Sequence, residues 1–250
     1  MKKTISIGLV FLLGSPSLHA DEALIAVAAN FTTAARQLQV AFELESRHHI
    51  TVSTGSTGSL YAQILNGAPH DVLLSADRER PALLLQSGHA VAGSVFTYAT
   101  GRLALLSADP LTGVADIRTI VSDAGIDSVA IANPVLAPYG IASRQALQSL
   151  GAWDVVKDKI VMGENVGQTM ALIATGNAGI GIVSLSQIVE SDAFAAANYR
   201  PIDSNLHRPI HQDAALLKHG QDNLAAKDFV AFLQSADAKA IIKSNGYEVH

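Results

Sequence analysis

Thr51-Val-Ser-Thr-Gly-Ser-Thr-Gly-Ser-Leu-Tyr-Ala-Gln-Ile-Leu65 places seven consecutive hydroxyl-bearing or glycine residues, Ser53 to Ser59, ahead of an apolar run. Two readings compete. Gly and Ser dominate turns, so the stretch can be a surface loop. It can also be a strand-to-helix junction whose bare backbone N–H groups hold something anionic. The rest of the chain decides between them.

The same unit recurs: a short apolar strand, a small-residue turn, then a helix. Leu24-Ile-Ala-Val-Ala28 is a continuous apolar run of the buried parallel-strand kind. Phe31, Ala35, Leu38 and Phe42 follow at spacings of four, three and four, one apolar face at helical period. Further strands are expected over 50–53 and 71–75, with helices over 60–65 and 80–86. A second series has strands over 103–106, 128–132, 159–162 and 179–184, with helices near 141–150 and 166–175. Alternation of this kind predicts an α/β fold with parallel-rich sheets covered by helices on both faces.

Two series, each of roughly a hundred residues, predict two lobes with a ligand cleft between them. The C-terminal segment, a strand over 213–217 and helices over 225–233 and 236–244, is expected to return to the first lobe. Crossings near 98–102 and 204–211, the second polar and interrupted by Pro209, then give lobe 1 over 21–100 and 209–250 and lobe 2 over 101–208. Discontinuous lobes about a cleft are the architecture of hinge-closing binding proteins.

Residues 1–20 read as an export signal: Lys2 and Lys3, an apolar stretch over 5–13, and a polar end Ser15-Pro-Ser-Leu-His-Ala20 with cleavage expected after Ala20. No other segment approaches 18 uninterrupted apolar residues, the length of a membrane span. Removing this segment takes the net charge from −5 to about −7, which argues against nucleic acid and anionic membrane as partners. The chain has no Cys. An exported protein without disulfides is held by its core alone, and Cys-ligated metal, thiolate chemistry and an N-terminal lipid anchor are all excluded. The expected product is a monomer free in a bacterial periplasm.

Four junctions look alike: Ala28-Ala-Asn-Phe31, Gly55-Ser-Thr-Gly58, Pro138-Tyr-Gly140 and Glu164-Asn-Val-Gly167. Each stands where a strand is expected to end and a helix to start, and in parallel sheets those ends line the ligand crevice. A helix start carries unpaired N–H groups and a partial positive charge. Two junctions per lobe, facing one another, make a cage of donors without Lys or Arg. That suits a compact oxyanion. Gly55 and Gly58 are expected to let the backbone approach the ion closely.

Taken in order, Val27-Ala-Ala-Asn-Phe31, Gly55-Ser-Thr-Gly-Ser-Leu-Tyr-Ala-Gln-Ile64, Asn66-Gly-Ala-Pro-His-Asp-Val-Leu-Leu-Ser-Ala-Asp77, Ala132-Asn-Pro-Val-Leu-Ala-Pro-Tyr-Gly140, Glu164-Asn-Val166 and Gly179-Ile-Gly-Ile-Val183 form a specific set. With it, essentially the whole chain after residue 20 resembles the periplasmic molybdate-binding proteins of molybdate ABC importers. The resemblance implies a type II periplasmic binding fold, molybdate or tungstate as ligand, and an ABC permease in the inner membrane as partner. It implies no cofactor, with molybdenum held only as its oxyanion. Carried over residue by residue, it implies ligand contacts from Asn30 and Thr57 in the first lobe and from Tyr139 and Val166 in the second, with Ala29 giving a backbone N–H. Many members have serine where Asn30 and Thr57 stand. Members with a small residue at the Tyr139 position often have tyrosine where this chain has Ser184, so the phenol has moved and Ser184 is left out of the expected site.

Other small ligands ask different chemistry of the site, sulfate excepted. Hydrogenphosphate favours a carboxylate acceptor, and Glu164 is the only candidate at a junction, read here as complementing a helix start. Ferric iron favours paired tyrosines, whereas one stands at a junction. Sulfate presents the same four acceptors. A periplasmic enzyme on the same fold needs a nucleophile–base pair or a metal, and no junction supplies one. G-x-S-x-G and G-x-x-x-x-G-K-[ST] are both absent from the chain. The sensing domain of a transcription regulator would lack the exported N-terminus. His48-His49 reads as a solvated turn, Trp153 as a structural anchor, and Pro209 between His207 and His211 discourages the helix that would make them metal ligands.

Overall fold

The computed structural model describes residues 21–111, 116–191 and 193–249, so the expected export signal over 1–20 lies outside the described residues. In chain order the strands are β1 (Glu22–Ala28), β2 (His49–Gly55), β3 (Val72–Leu74), β4 (Phe96–Gly101), β5 (Leu103–Ser107), β6 (Val129–Ala132), β7 (Ile160–Gly163), β8 (Ile180–Ser184), β9 (Tyr199–Pro201) and β10 (Ile210–Leu216). They form two five-stranded sheets, β2-β1-β3-β10-β4 and β7-β6-β8-β5-β9, each flanked by helices. These are the two lobes.

Register places the junctions. β1 runs parallel to β2 with Ala28 opposite Gly55, so both strands end at the same level. β3 lies on the other side of β1, with Leu74 opposite Val27. In the second sheet β6 and β7 are parallel and end together, Ala132 opposite Gly163. Each lobe therefore presents two neighbouring helix starts at the carboxyl edge of its sheet, the edge that lines ligand crevices.

The sheets are mixed, more so than strand–helix alternation predicts. β10 is antiparallel to both β3 and β4, and β5 is antiparallel to both β8 and β9. Only Arg102 separates β4 from β5, and residues 202–209 separate β9 from β10, so at these two places the chain passes from one sheet to the other. The segment over 98–102, read from sequence as a crossing, is mostly strand β4, and β10 begins directly after Pro209.

Each lobe has its own core. In the first, Val27, Phe31, Leu38 and Phe42 pack with Phe229, Phe232 and Ile242 from the C-terminal helices Leu224–Phe232 and Ala236–Ser244. Phe31 sets its ring edge-on to Tyr98 and Tyr247, at centroid distances of 4.8 and 5.1 Å. The second core is built on Leu103, Leu105, Ile131, Leu147, Ile173 and Ile182. At about 1.5–3 kcal/mol for each large apolar side chain fully buried, these clusters hold the lobes without disulfides. Trp153 packs at the edge of the second core under the Arg144 guanidinium, 5.1 Å from its ring centroid.

Two helices start three residues earlier than their apolar periodicity indicates, Thr57–Leu65 and Pro138–Ser149. Their first turns serve as open N–H ends, so no apolar spacing marks them. Ser56 caps the former, its Oγ accepting from the Ser59 N–H at 3.1 Å, and Pro138 begins the latter with φ already helical. His48 is also not a solvated turn. Its Nδ1 accepts from the Asp21 N–H at 3.1 Å, its Nε2 lies 3.2 Å from Asp228, and its ring stacks on Phe42.

Candidate functional site

All four junctions meet on one cavity. Ala28, Ala29 and Asn30 line it after β1, Ser56 and Thr57 after β2, Ala137, Pro138 and Tyr139 after β6, and Asn165 and Val166 after β7. Ala76, in the turn after β3, completes the wall. Ala29, Asn30, Thr57, Tyr139 and Val166, the five residues singled out from sequence, are thus brought together, and no lining residue carries a formal charge. With about 10 Å³ open to the centre of a water-sized sphere, the cavity is far below the roughly 300–1,000 Å³ of pockets for organic ligands.

The chemistry of the wall is that of hydrogen-bond donors. Thr57, Tyr139 and Val166 stand in the first turns of the helices Thr57–Leu65, Pro138–Ser149 and Val166–Ala174, where no carbonyl of the same helix can accept their N–H groups. Ala29 and Asn30 stand in the 3₁₀ turn Ala29–Phe31. Neighbouring N–H groups are already taken: Ser59 by Ser56 Oγ and Gln168 by Asn165 Oδ1. These caps fix the two helix starts and leave Thr57 and Val166 to the cavity. The Val166 side chain belongs to the second core, so its contribution is backbone alone.

Two hydroxyls belong to the wall. Thr57 is 1% exposed and its Oγ1 accepts the Ala76 N–H at 3.0 Å, which leaves its proton to donate. Tyr139, 2% exposed, accepts from Gln212 Nε2 at 3.3 Å, with Asn30 Nδ2 3.5 Å away. Burial pushes the Tyr139 phenol well above its ordinary pKa, against hydrogen bonds from Ser184, Gln212 and Asn30 that act the other way. The phenol therefore keeps its proton across the whole neutral range. Ser184 is fully buried beside it, 2.6 Å from Ser186 Oγ, and is not on the cavity wall.

Asn30 works differently from its sequence reading. Its Nδ2 donates to Gln212 Oε1 at 2.9 Å and to Tyr247 Oη at 3.1 Å, which uses both amide hydrogens. What Asn30 offers the cavity is its backbone. Tyr247 Oη in turn donates to the Asn30 carbonyl at 2.6 Å and accepts from Ser186 Oγ at 2.9 Å, tying the first junction to the second lobe. Gln212, Tyr247, Ser186 and Ala76 were not foreseen. Only Ala76 carried a signal, because Ser75-Ala-Asp77 is one more strand end at the same edge.

The lobes touch at the cavity's rim. The Gly58 N–H donates to the Leu136 carbonyl at 2.8 Å, and Arg80 Nη2 reaches the Val135 carbonyl at 3.3 Å. A Cβ on Gly58 would lie 2.7 Å from the Leu136 oxygen. Gly58 thus admits the opposite lobe and not the ion, while Gly55 is glycine where a Cβ would press on Leu60 at 3.3 Å. Charged groups stay outside. A larger groove of about 320 Å³ shares Ala76 and Pro138 with the cavity and contains Asp77, Arg78, Glu79 and Arg208. Arg80 pairs there with Asp77, and Arg78 with Asp213 and Thr97.

Among the described residues no group of three or more His, Cys, Asp and Glu is arranged to hold a metal ion, and no helix is long and apolar enough to cross a membrane. His207 is buried with its Nδ1 at the Arg208 carbonyl, 2.8 Å away.

A cavity of unpaired N–H groups and neutral hydroxyls between two mixed α/β lobes defines a receptor for a small anion. The chain belongs to the bacterial extracellular solute-binding protein family, whose sequence profile matches residues 23–248. Within that class it is 40% identical over 242 residues to the molybdate-binding protein ModA of Rhodobacter capsulatus, covering 97% of this chain and 94% of that one. It is also 40% identical to ModA of Azotobacter vinelandii, over 96% of each chain. The solved structure of the Azotobacter vinelandii periplasmic molybdate-binding protein superposes with a TM-score of 0.85 at 37% identity, over 91% of this chain and 99% of the other. The sulfate-binding protein SubI of Mycobacterium tuberculosis shares the fold, with a TM-score of 0.72 at 12% identity.

One ionisable group behind the site has a measurable consequence. Burial raises the Glu190 carboxyl from 4.5 to about 7, only partly offset by its hydrogen bond with Thr33, and its Oε1 is buried without a partner. A carboxyl raised in the folded state adds stability that is complete below its ordinary value and lost as pH climbs through about 7. Between pH 4.5 and 7 the ligand-free protein should therefore lose melting temperature relative to Glu190→Gln. Parallel melting curves for the two proteins across this range would contradict the assignment.

Proposed function

We propose that this protein is a periplasmic receptor that captures molybdate or tungstate and delivers it to an ABC importer in the inner membrane. The observation that carries the reading is the convergence of four helix starts on one small uncharged cavity. Ala29, Asn30, Thr57, Tyr139 and Val166 hold the oxyanion through backbone N–H groups and the two hydroxyls. The relatives named ModA support molybdate as the ligand, since the likeness extends over nearly the whole chain. The protein acts by binding, without catalysis or cofactor, and as a monomer. Residues 1–20 serve as its export signal.

Magnitudes allow this. About six charge-assisted hydrogen bonds at roughly 1.5–3 kcal/mol each give about 9–18 kcal/mol gross. Lost ion hydration and lobe closure offset part of that. Micromolar to nanomolar binding needs about 8–12 kcal/mol net. The moving parts are 21–100 with 209–250 against 101–208, and the Gly58–Leu136 bond is made on closing.

Calorimetry of the protein without residues 1–20 against molybdate, tungstate, sulfate and phosphate tests the reading. Tight binding of the first two is expected, and indifference to molybdate would end it. Thr57→Val keeps shape while removing the hydroxyl, and should weaken molybdate binding by about 1.5–3 kcal/mol, the worth of one hydrogen bond to a charged group. Unchanged affinity would remove Thr57 from the ligand's contacts.

Gly58→Ala tests closure separately. Its Cβ meets the Leu136 carbonyl only when the lobes are together. At saturating molybdate the variant should keep a larger radius of gyration than wild type in small-angle X-ray scattering, with its ligand-free melting temperature unchanged. Equal radii would show that this contact does not limit closure.

A further inference from the structure

We propose that His48 and Asp228 form a binding site for a primary ammonium group, the one that export processing creates on Asp21, so that cleavage after Ala20 locks the start of β1 into the first lobe. The inference rests on the reading of residues 1–20 as an export signal and adds what the new chain end binds. β1 lies between β2 and β3, and its far end carries the first junction. Its near end is held residue by residue. The Asp21 N–H donates to His48 Nδ1 at 3.1 Å, and the Asp21 carbonyl accepts from the His49 N–H at 3.0 Å. The Glu22 carbonyl accepts from Asn223 Nδ2 at 2.8 Å.

The imidazole's tautomer follows from its partners. The Asp21 nitrogen can only donate, so His48 Nδ1 must offer its lone pair. The ring proton then sits on Nε2, 3.2 Å from Asp228 Oδ2, and is donated to that carboxylate. Packing holds the ring in this direction. It stacks on Phe42 at a centroid distance of 6.3 Å with 16° between the planes, and the His48 side chain is 13% exposed. Donor, imidazole and carboxylate thus stand in line, brought together from the start of β1, the turn before β2 and the helix Leu224–Phe232.

While the chain is uncut, that line lacks a positive end. Among the described residues no Lys or Arg pairs with Asp228, and a neutral imidazole leaves the carboxylate's charge unanswered. Hydrolysis of the Ala20–Asp21 peptide bond adds water across it: a carboxylate leaves with Ala20, and the Asp21 nitrogen takes up protons to become an ammonium. The nitrogen that already faces His48 then carries a charge. A hydrogen bond from an ionised donor is shorter and roughly twice as strong as one between neutral groups. Asp228 is 59% exposed, so solvent screens its charge, and the gain lies mainly in the bond from Asp21 to the better-buried His48.

Two forms of the protein test this, one beginning at Asp21 and one keeping Ala20, in which the Asp21 nitrogen is still an amide. Scanning calorimetry at pH 7 without molybdate should find the Asp21 form melting about 2–4 °C higher, the shift of one strengthened hydrogen bond in a chain of this size. In His48→Phe, which offers the amine no acceptor, the two forms should melt alike. A merely structural His48 would lower both forms and leave their difference intact, which would overturn the proposal. If His48→Phe does not fold, the ¹⁵N shift of His48 Nδ1 should differ between the two wild-type forms, and identical shifts overturn it equally. Sequencing the N-terminus of protein recovered from the periplasm separates this proposal from the reading beneath it. A chain that starts elsewhere than Asp21 would sink cleavage after Ala20 and the ammonium site together. A chain that starts at Asp21, with equal melting of the two forms, would sink the ammonium site alone.

Discussion

The first N–H groups of a helix have no carbonyl in their own helix to bind, and the site follows from that constraint. Here it is met at four places at once, after β1, β2, β6 and β7. Buried donors without acceptors are costly, so a cavity walled by them is stable only with an acceptor nearby. Each helix end also carries up to about half an elementary charge, so four together roughly balance a dianion without any Lys or Arg. Keeping formal charges out has its own advantage. A buried cation would need its own partner when the cavity is empty, whereas N–H groups can turn to water. The arginines instead lie in the outer groove, where Arg78 and Arg80 pair with Asp213 and Asp77.

Holding the lobes in register falls to groups behind the cavity. Asn30, Gln212, Tyr98 and Tyr247 come from the first lobe's sheet, turn and C-terminal segment, while Tyr139 and Ser186 come from the second lobe. Their hydrogen bonds form one buried network, and such networks are rigid when every member is satisfied. At the rim the Gly58 N–H meets the Leu136 carbonyl and Arg80 Nη2 meets the Val135 carbonyl. The back of the site is thus tied by side chains alone and its front by two bonds to backbone carbonyls of the other lobe.

Much of this was legible in the sequence for physical reasons. Strand–helix alternation and the continuous apolar runs specify buried sheets, and small polar residues at each strand end mark the junctions. The junctions could be found on those grounds; Ala29, Asn30, Thr57, Tyr139 and Val166 within them came from the family resemblance, and all lie on one cavity. Three things were hidden. The antiparallel strands β5 and β10 are the first strands after the two crossings between sheets, and apolar periodicity does not encode strand direction. Gly58 resembles a phosphate-loop glycine locally, yet the atom it makes room for, the Leu136 oxygen, is 78 positions away in the chain and belongs to the other lobe. Gln212 sits in an ordinary-looking strand, and its reach to Tyr139 of the opposite lobe depends on how the two lobes pack.

The central claim is that backbone N–H groups of four helix starts bind the ion. Amide proton and nitrogen chemical shifts, followed by nuclear magnetic resonance as molybdate is added to uniformly ¹⁵N-labelled protein, test it most directly. The account predicts large downfield proton shifts at the amides of Ala29, Asn30, Thr57, Tyr139 and Val166, saturating together at one equivalent, with the arginine side-chain Nε signals of Arg78 and Arg208 scarcely moved. Shifts centred on those arginines, with the helix-start amides unaffected, would contradict it.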